Sequence, residues 1–230
     1  ELVNAAGGVL RGTGTNGGTG NVFDAAITNL GLIEVVQNTQ ITNSGRVLDS
    51  SHGGIQVAES KALMISGGST VFGSGTVLSG LGKITFPGTQ TIDLSSDWTY
   101  AAGSAPLEFS GTVTINGPGR LINEGSISLT DDTIAAELDN RGTLSVPAWG
   151  SALTGTISGA LSNTGLVSVS GGYYHFQNAT LTVSQGFTNE GVIQLYGREG
   201  GFGTVATLVV TGGELVNAAG GVLRGTGTNG

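Results

Sequence analysis

Cysteine is absent from the 230-residue chain, which removes disulfides, thiolate metal sites and cysteine nucleophiles together. Charged residues make up only 10%, against about 25% in an ordinary soluble domain, so helices with solvated charged faces are not expected. Four prolines and glycines outside any strict triplet exclude a collagen triple helix. Basic residues are few: 8 Lys and Arg face 16 Asp and Glu, for a net charge of −8. That balance disfavours nucleic acid and anionic membrane surfaces as partners. No run approaches the roughly 20 apolar residues of a membrane-spanning helix, so no membrane insertion is expected. Glycine, in contrast, is abundant at 43 residues, and 38% of the chain is hydrophobic, too apolar for disorder. A Gly-, Ser-, Thr- and Asn-rich chain with many β-branched residues reads as all-β.

A duplication organises the chain. Residues 1–17, ELVNAAGGVLRGTGTNG, recur unchanged as residues 214–230, an offset of 213. The sequence therefore divides into one full unit, 1–213, and the opening of the next identical unit, 214–230. It reads as a window on a tandem array, with Glu1 in mid-array and no signal peptide expected there.

Within the unit a shorter pattern recurs: apolar-x-Asn-x-Gly-x-apolar-x-apolar. Clear copies centre on Asn29-x-Gly31, Asn123-x-Gly125, Asn140-x-Gly142, Asn163-x-Gly165 and Asn189-x-Gly191. Asn43-x-Gly45 loses its last apolar place to Asp49, and around Asn4 and Asn217 the Asn-to-Gly spacing is longer. All marked positions share one parity, and a period of two is a strand signal with one face buried. Asn and Gly fall on that inward face. Their tolerance of positive φ predicts that they turn corners. Stacked Asn side chains are further expected to bond one another, as amides do in ladders of parallel strands.

The Asn positions are spaced by 14 to 28 residues, apart from one gap of 80 between Asn43 and Asn123. Uneven spacing does not suit fixed propeller blades but suits a solenoid with loops of varying length. The predicted fold is a parallel β-helix (β-solenoid) with roughly ten coils per 213-residue unit, each rising about 4.8 Å. The gap would hold degenerate coils, including Leu78-x-Gly80-x-Gly82 and Leu107-x-Phe109-x-Gly111.

These coils resemble the repeats of right-handed parallel β-helix surface proteins, namely autotransporter passengers and filamentous haemagglutinin-type adhesins of Gram-negative bacteria. The resemblance covers most of the unit except about residues 50–115. It implies a right-handed coil, an extracellular or cell-surface location and a role as stalk or adhesin.

Parallel β-helices also include polysaccharide lyases and hydrolases, so catalysis has to be tested. Asp131-Asp132 is the best paired-carboxylate candidate, and Ser51-His52-Gly53 is similar to the Gly-His-Gly of polygalacturonase-like enzymes. That family places its Asp pair before the His motif, and here the order is reversed. The pair reads better as a solvated turn, and His52 and His175 as surface or loop residues. Only Lys61 and Lys83 are lysines, and the arginines (Arg11, Arg46, Arg120, Arg141, Arg198, Arg224) are scattered. A uronate-binding, calcium-holding cleft is therefore not expected. No catalytic, cofactor or metal site is assigned, and the chain is read as not an enzyme.

Three look-alike motifs are set aside. Gly12-Thr13-Gly14-Thr15-Asn16-Gly17 matches a dinucleotide fingerprint, but no helix pattern follows it. Gly17–Val22 starts like a calcium-binding nonapeptide, yet Val22 stands where Asp is required. Asn178-Ala179-Thr180 is a formal glycosylation sequon. Among the aromatics, Trp98, Tyr100, Trp149 and Tyr173-Tyr174-His175-Phe176 lie mostly outside the coil pattern. Exposed on loops they would stack on sugars; the simpler reading packs them against strand ends or neighbouring coils.

A parallel solenoid leaves unpaired strand edges at both ends, and the last coil repeats the sequence of the first. Continuation through end-to-end stacking is the simplest consequence, giving an open fibre. The expected function is a structural extracellular filament, with itself or adjacent identical repeats as partner. The alternative is an adhesive stalk that binds glycans on host or neighbouring cells.

Overall fold

Alternation with a period of two governs the strands. Ile27-Thr28-Asn29, Thr39–Thr42 and Gly54–Val57 each bury every second residue, so one side of each strand faces an apolar interior. The computed structural model describes residues 1–14, 20–148, 150–172, 177–199 and 203–229. Among these all regular structure is β, and every strand pairing is parallel. The chain forms two units, Glu1–Leu121 and Ile122–Gly230, each a three-sided parallel β-solenoid.

In the first unit each coil has three strands. The first strands, Leu2–Asn4, Ile27–Asn29, Val47–Asp49, Ser69–Phe72, Thr89–Leu94 and Thr112–Asn116, form one sheet. Second strands Val9–Gly12, Leu32–Val35, Gly54–Val57 and Val77–Ser79 form another. Third strands Asn21–Phe23, Thr39–Thr42, Ala62–Ser66, Lys83–Phe86 and Leu107–Phe109 form the last. The fifth second strand, Trp98–Tyr100, does not join the sheet that ends at Val77–Ser79.

The second unit starts its coils with strands that end in Asn: Leu121–Asn123, Leu138–Asn140, Leu161–Asn163, Phe187–Asn189 and Leu215–Asn217. Ser126–Ser128, Thr143–Pro147, Leu166–Ser170, Val192–Glu199 and Val222–Asn229 follow as second strands. Thr133–Ile134, Leu153–Ile157, Ala179–Val183 and Ala206–Val210 close each coil. The first unit thus holds five complete coils and the second four, somewhat fewer than the roughly ten expected at about 4.8 Å each. The motifs at Asn29 and Asn43 account for the difference: they are two corners of one coil, after Ile27–Thr28 and after Thr39–Thr42.

Register stacks like on like. Ile33 lies beside Ile55 and Val35 beside Val57, while Leu144, Val167 and Ile193 form a column in the second unit. These aliphatic columns are buried at 0–2% exposure. Burying each such side chain is worth about 1.5–3 kcal/mol, which makes the columns the main support of the stack.

Candidate functional site

The parity-matched Asn and Gly residues sit at the corner that follows each Asn-ended strand, and their amides join into two ladders. In the second unit Asn123 Nδ2 donates to Asn140 Oδ1 at 2.7 Å, and Asn140 Nδ2 to Asn163 Oδ1 at 2.7 Å. Asn163 continues to Asn189 at 2.6 Å and Asn189 to Asn217 at 2.7 Å. In the first unit Asn4 donates to Asn29 at 2.7 Å and Asn29 to Ser50 Oγ at 2.9 Å. The second amide hydrogen of each rung goes to a backbone carbonyl, for example Asn140 to Leu166 and Asn29 to Gly54. All donors point the same way along the stack, so the amide dipoles align and reinforce one another. Asn29, Asn123, Asn140, Asn163 and Asn189 are fully buried, and an unpaired amide there would cost about 1–3 kcal/mol.

The glycines of these corners act by close approach. A Cβ on Gly142, Gly165 or Gly191 would run into the backbone of the coil before it, with Gly125, Gly142 and Gly165 oxygens respectively inside contact distance. Gly31 meets Gly8 and Ala5 in the same way. In the second unit the backbones come together because the Asn123, Asn140 and Asn163 carbonyls each accept two amides from the next coil. Asn140 O takes Thr164 and Gly165 N–H, both at 2.9 Å, and Asn163 O takes Glu190 and Gly191 N–H, both at 2.9 Å. None of these four glycines has positive φ, so the expected reason for them is corrected.

Left-handed corners exist elsewhere. Asn43-x-Gly45 lies after a third strand, where Ser44 has φ 36° and Gly45 φ 81°. Gly67, Gly68 and Gly88 repeat that conformation on later coils. Asn43 belongs to neither ladder: it is buried, its Nδ2 reaches Ser69 O at 3.2 Å, and its Oδ1 has no hydrogen-bond partner. Ser50 is the rung that the sequence pattern did not single out. Its signal was position alone, since it follows the first strand Val47–Asp49 as Asn29 follows Ile27–Thr28.

The two carboxylates of the candidate pair have different surroundings. Asp131 is exposed in a turn with φ 69° and accepts the Thr154 N–H at 2.8 Å. Asp132 is 2% exposed and accepts the Thr130 N–H at 2.6 Å, so it is a buried turn-former and not a solvated partner. His52 is exposed, with Nδ1 2.9 Å from Ser51 Oγ; His175 lies outside the described residues. No group of three His, Asp or Glu side chains able to hold a metal occurs among the described residues.

The basic residues bind across coils. Lys83 pairs with Glu108 at 2.8 Å, Arg120 with Asp97 at 3.0 Å, and Arg11 with Glu34. Arg141 pairs within its own coil with Asp139 at 2.7 Å and across to Glu124 at 3.5 Å. Asp97 is held below the usual carboxyl range, first by the Arg120 backbone N–H and then by its guanidinium. A shallow groove of about 430 Å³ runs past Lys61, Lys83 and Glu108, with the Lys83 charge already paired.

Trp98 and Tyr100 are 1% and 3% exposed, which removes them as sugar platforms. Trp98 packs on Phe72 with ring centroids 4.7 Å apart and on Tyr100 at 5.9 Å, and Phe86 meets Phe109 edge-on at 5.9 Å. Burial also pushes the Tyr100 phenol above its ordinary pKa. Trp149, residues 173–176 and residues 15–19 of the two glycine-rich look-alikes at 12–17 and 17–22 lie outside the described residues. Asn178 of the sequon accepts the Val205 N–H through its side chain at 2.8 Å.

The most informative feature is how the two copies of the duplicated segment pair. Leu2-Val3-Asn4 pairs with Ile27-Thr28-Asn29, and the identical Leu215-Val216-Asn217 pairs with Phe187-Thr188-Asn189. The same tripeptide therefore uses one edge in its first copy and the opposite edge in its second. Likewise Leu10 lies beside Ile33 and Leu223 beside Ile193. Comparison with protein-family models, with curated proteins and with solved structures gives no match.

Proposed function

We propose that the chain is a segment of a structural, extracellular fibre made of tandem β-solenoid repeats stacked end to end. One observation carries this reading: the identical segments 1–12 and 214–225 are bonded on opposite edges, each in the same Asn-on-Asn register. One copy of that segment in mid-array would hold both sets of bonds at once. Leu223, 50% exposed at the open end, would then be enclosed between the partners of Leu10 and Leu223, Ile33 and Ile193. Such a surface is a template for a further identical strand, and repetition of one junction gives an open filament. The role would be mechanical or scaffolding at the cell surface. The adhesive-stalk alternative would need a ligand surface other than Trp98 and Tyr100.

Electron microscopy and diffraction of the native assembled material test this reading. Thin fibres with a meridional spacing of about 4.8 Å are expected. Compact particles without that spacing would sink it.

A further inference from the structure

Resting on the end-to-end reading above, we propose that separate copies of the chain join by segment exchange. Residues 214–225 of one copy take the place of residues 1–12 against residues 27–35 of a second copy. One shared segment then lies at the junction, and the displaced one is released. Both pairings that such a junction needs are present in the chain. Leu2–Asn4 and Val9–Gly12 bond the strands Ile27–Asn29 and Leu32–Val35. The matching Leu215–Asn217 and the start of Val222–Asn229 bond Phe187–Asn189 and Val192–Glu199.

Charge favours exchange over stacking the two segments whole. Laying residues 214–225 of one copy directly on residues 1–12 of another would set Arg224 beside Arg11 and Glu214 beside Glu1, and like charges facing each other on neighbouring strands repel. After exchange a single arginine meets both acceptors seen in the chain. Arg11 Nε donates to Glu34 Oε2 at 2.6 Å, and Arg224 Nη2 to Gln194 Oε1 at 2.6 Å; a guanidinium has donors enough for both. The amides follow suit. Asn217 Oδ1 accepts from Asn189 at 2.7 Å, while its own Nδ2 turns to Gly221 O in its loop. The equivalent Asn4 Nδ2 donates to Asn29 Oδ1 at 2.7 Å, the acceptor that a second copy offers to Asn217. Entropy acts in the same direction. Two terminal segments, each ordered for pairing on one edge, become one segment paired on both edges and one set free. Exchange of an identical element between copies is domain swapping, a low-cost route to association.

The chain has no cysteine, so introduced thiols report which strands become neighbours. Val9 lies beside Leu32, and Val222 occupies the place of Val9 in the duplicated segment. Full chains carrying Val222→Cys are mixed with full chains carrying Leu32→Cys and oxidised mildly. Neighbouring strands lie about 4.8 Å apart, within reach of a disulfide. Exchange should therefore give a linked pair at twice the 22.9 kDa of one chain, and Val222→Cys mixed with Val9→Cys at most a minor band. Val216→Cys with Thr28→Cys, against Val3→Cys as the control, repeats the measurement on the strand before should the first variants fail to fold. A dominant link between positions 222 and 9 would overturn exchange in favour of whole-segment stacking and leave end-to-end joining intact. Absence of links in every mixture would overturn exchange as well, while the tandem fibre stands or falls on its own 4.8 Å diffraction spacing.

Discussion

The coils between Leu121 and Asn217 and those between Ser69 and Phe109 build the same three-sided section from different materials. The former run a chain of buried amides through one corner. The latter have hydroxyls and backbone there: Gly73 N–H donates to Thr76 Oγ1, which donates to Ser50 O. Their interior is filled instead by Phe72, Trp98, Tyr100, Phe86 and Phe109. A solenoid must keep its coils in register, and amide ladders and stacked rings are two ways of doing so. The amide chain is directional and demands an Asn at every rung but its last, where Ser50 serves in the first unit. Ring stacking tolerates varied sequence but demands volume.

Removing the largest ring is expected to have the largest effect. Trp98→Ala opens a cavity against Phe72 and Tyr100, and such truncations cost about 4 kcal/mol. Followed by hydrogen exchange, protection should fall over residues 69–109 while the amides of Gly165 and Gly191 keep theirs. Equal loss in both places would mean that the aromatic region is no separate device.

The ladder comes next. Asn163→Ala leaves Asn189 Oδ1 and one hydrogen of Asn140 Nδ2 buried without partners, for a loss of about 3 kcal/mol. Asn43→Ala breaks no amide chain, because Asn43 Oδ1 is already unpaired, and should cost about 1 kcal/mol. Urea titrations of the two variants read the difference. Similar midpoints would reduce the ladder to a row of independent hydrogen bonds.

What was legible in the sequence follows the same division. Asn and Gly at a period of two stand out because the ladder allows few substitutes, and they revealed the parallel solenoid from residues 121–195 alone. The reason for the glycines did not show. Gly45 and Gly165 look alike in sequence, yet one supplies a left-handed turn and the other a backbone approach too close for a Cβ. Trp98 and Tyr100 fell outside the motif because ring stacking follows volume, not letter pattern, so their burial had no signature. Ser50 was hidden for a related reason: any small hydrogen-bonding side chain can end a ladder.

Outside the core the comparison narrows to ion pairs, where the smallest effect is expected. Asp97 and Arg120 bridge two coils of the aromatic region, the carboxylate accepting the Arg120 N–H at 2.9 Å and its guanidinium at 3.0 Å. The folded-state pKa lies below that of an ordinary aspartate. A lowered carboxyl pKa means that the contribution is present above the unfolded value, about 3.9, and fades as pH falls through the folded one. The group is fully solvated, so salt screens the contribution strongly. Nuclear magnetic resonance titration of Asp97 should place its midpoint below that of an unperturbed aspartate. Arg120→Ala removes the guanidinium but keeps the backbone N–H, which is the larger cause. The midpoint should therefore climb only part of the way back. A return to the ordinary value would show that charge, and not the strand-to-strand hydrogen bond, ties these two coils together on their outer face.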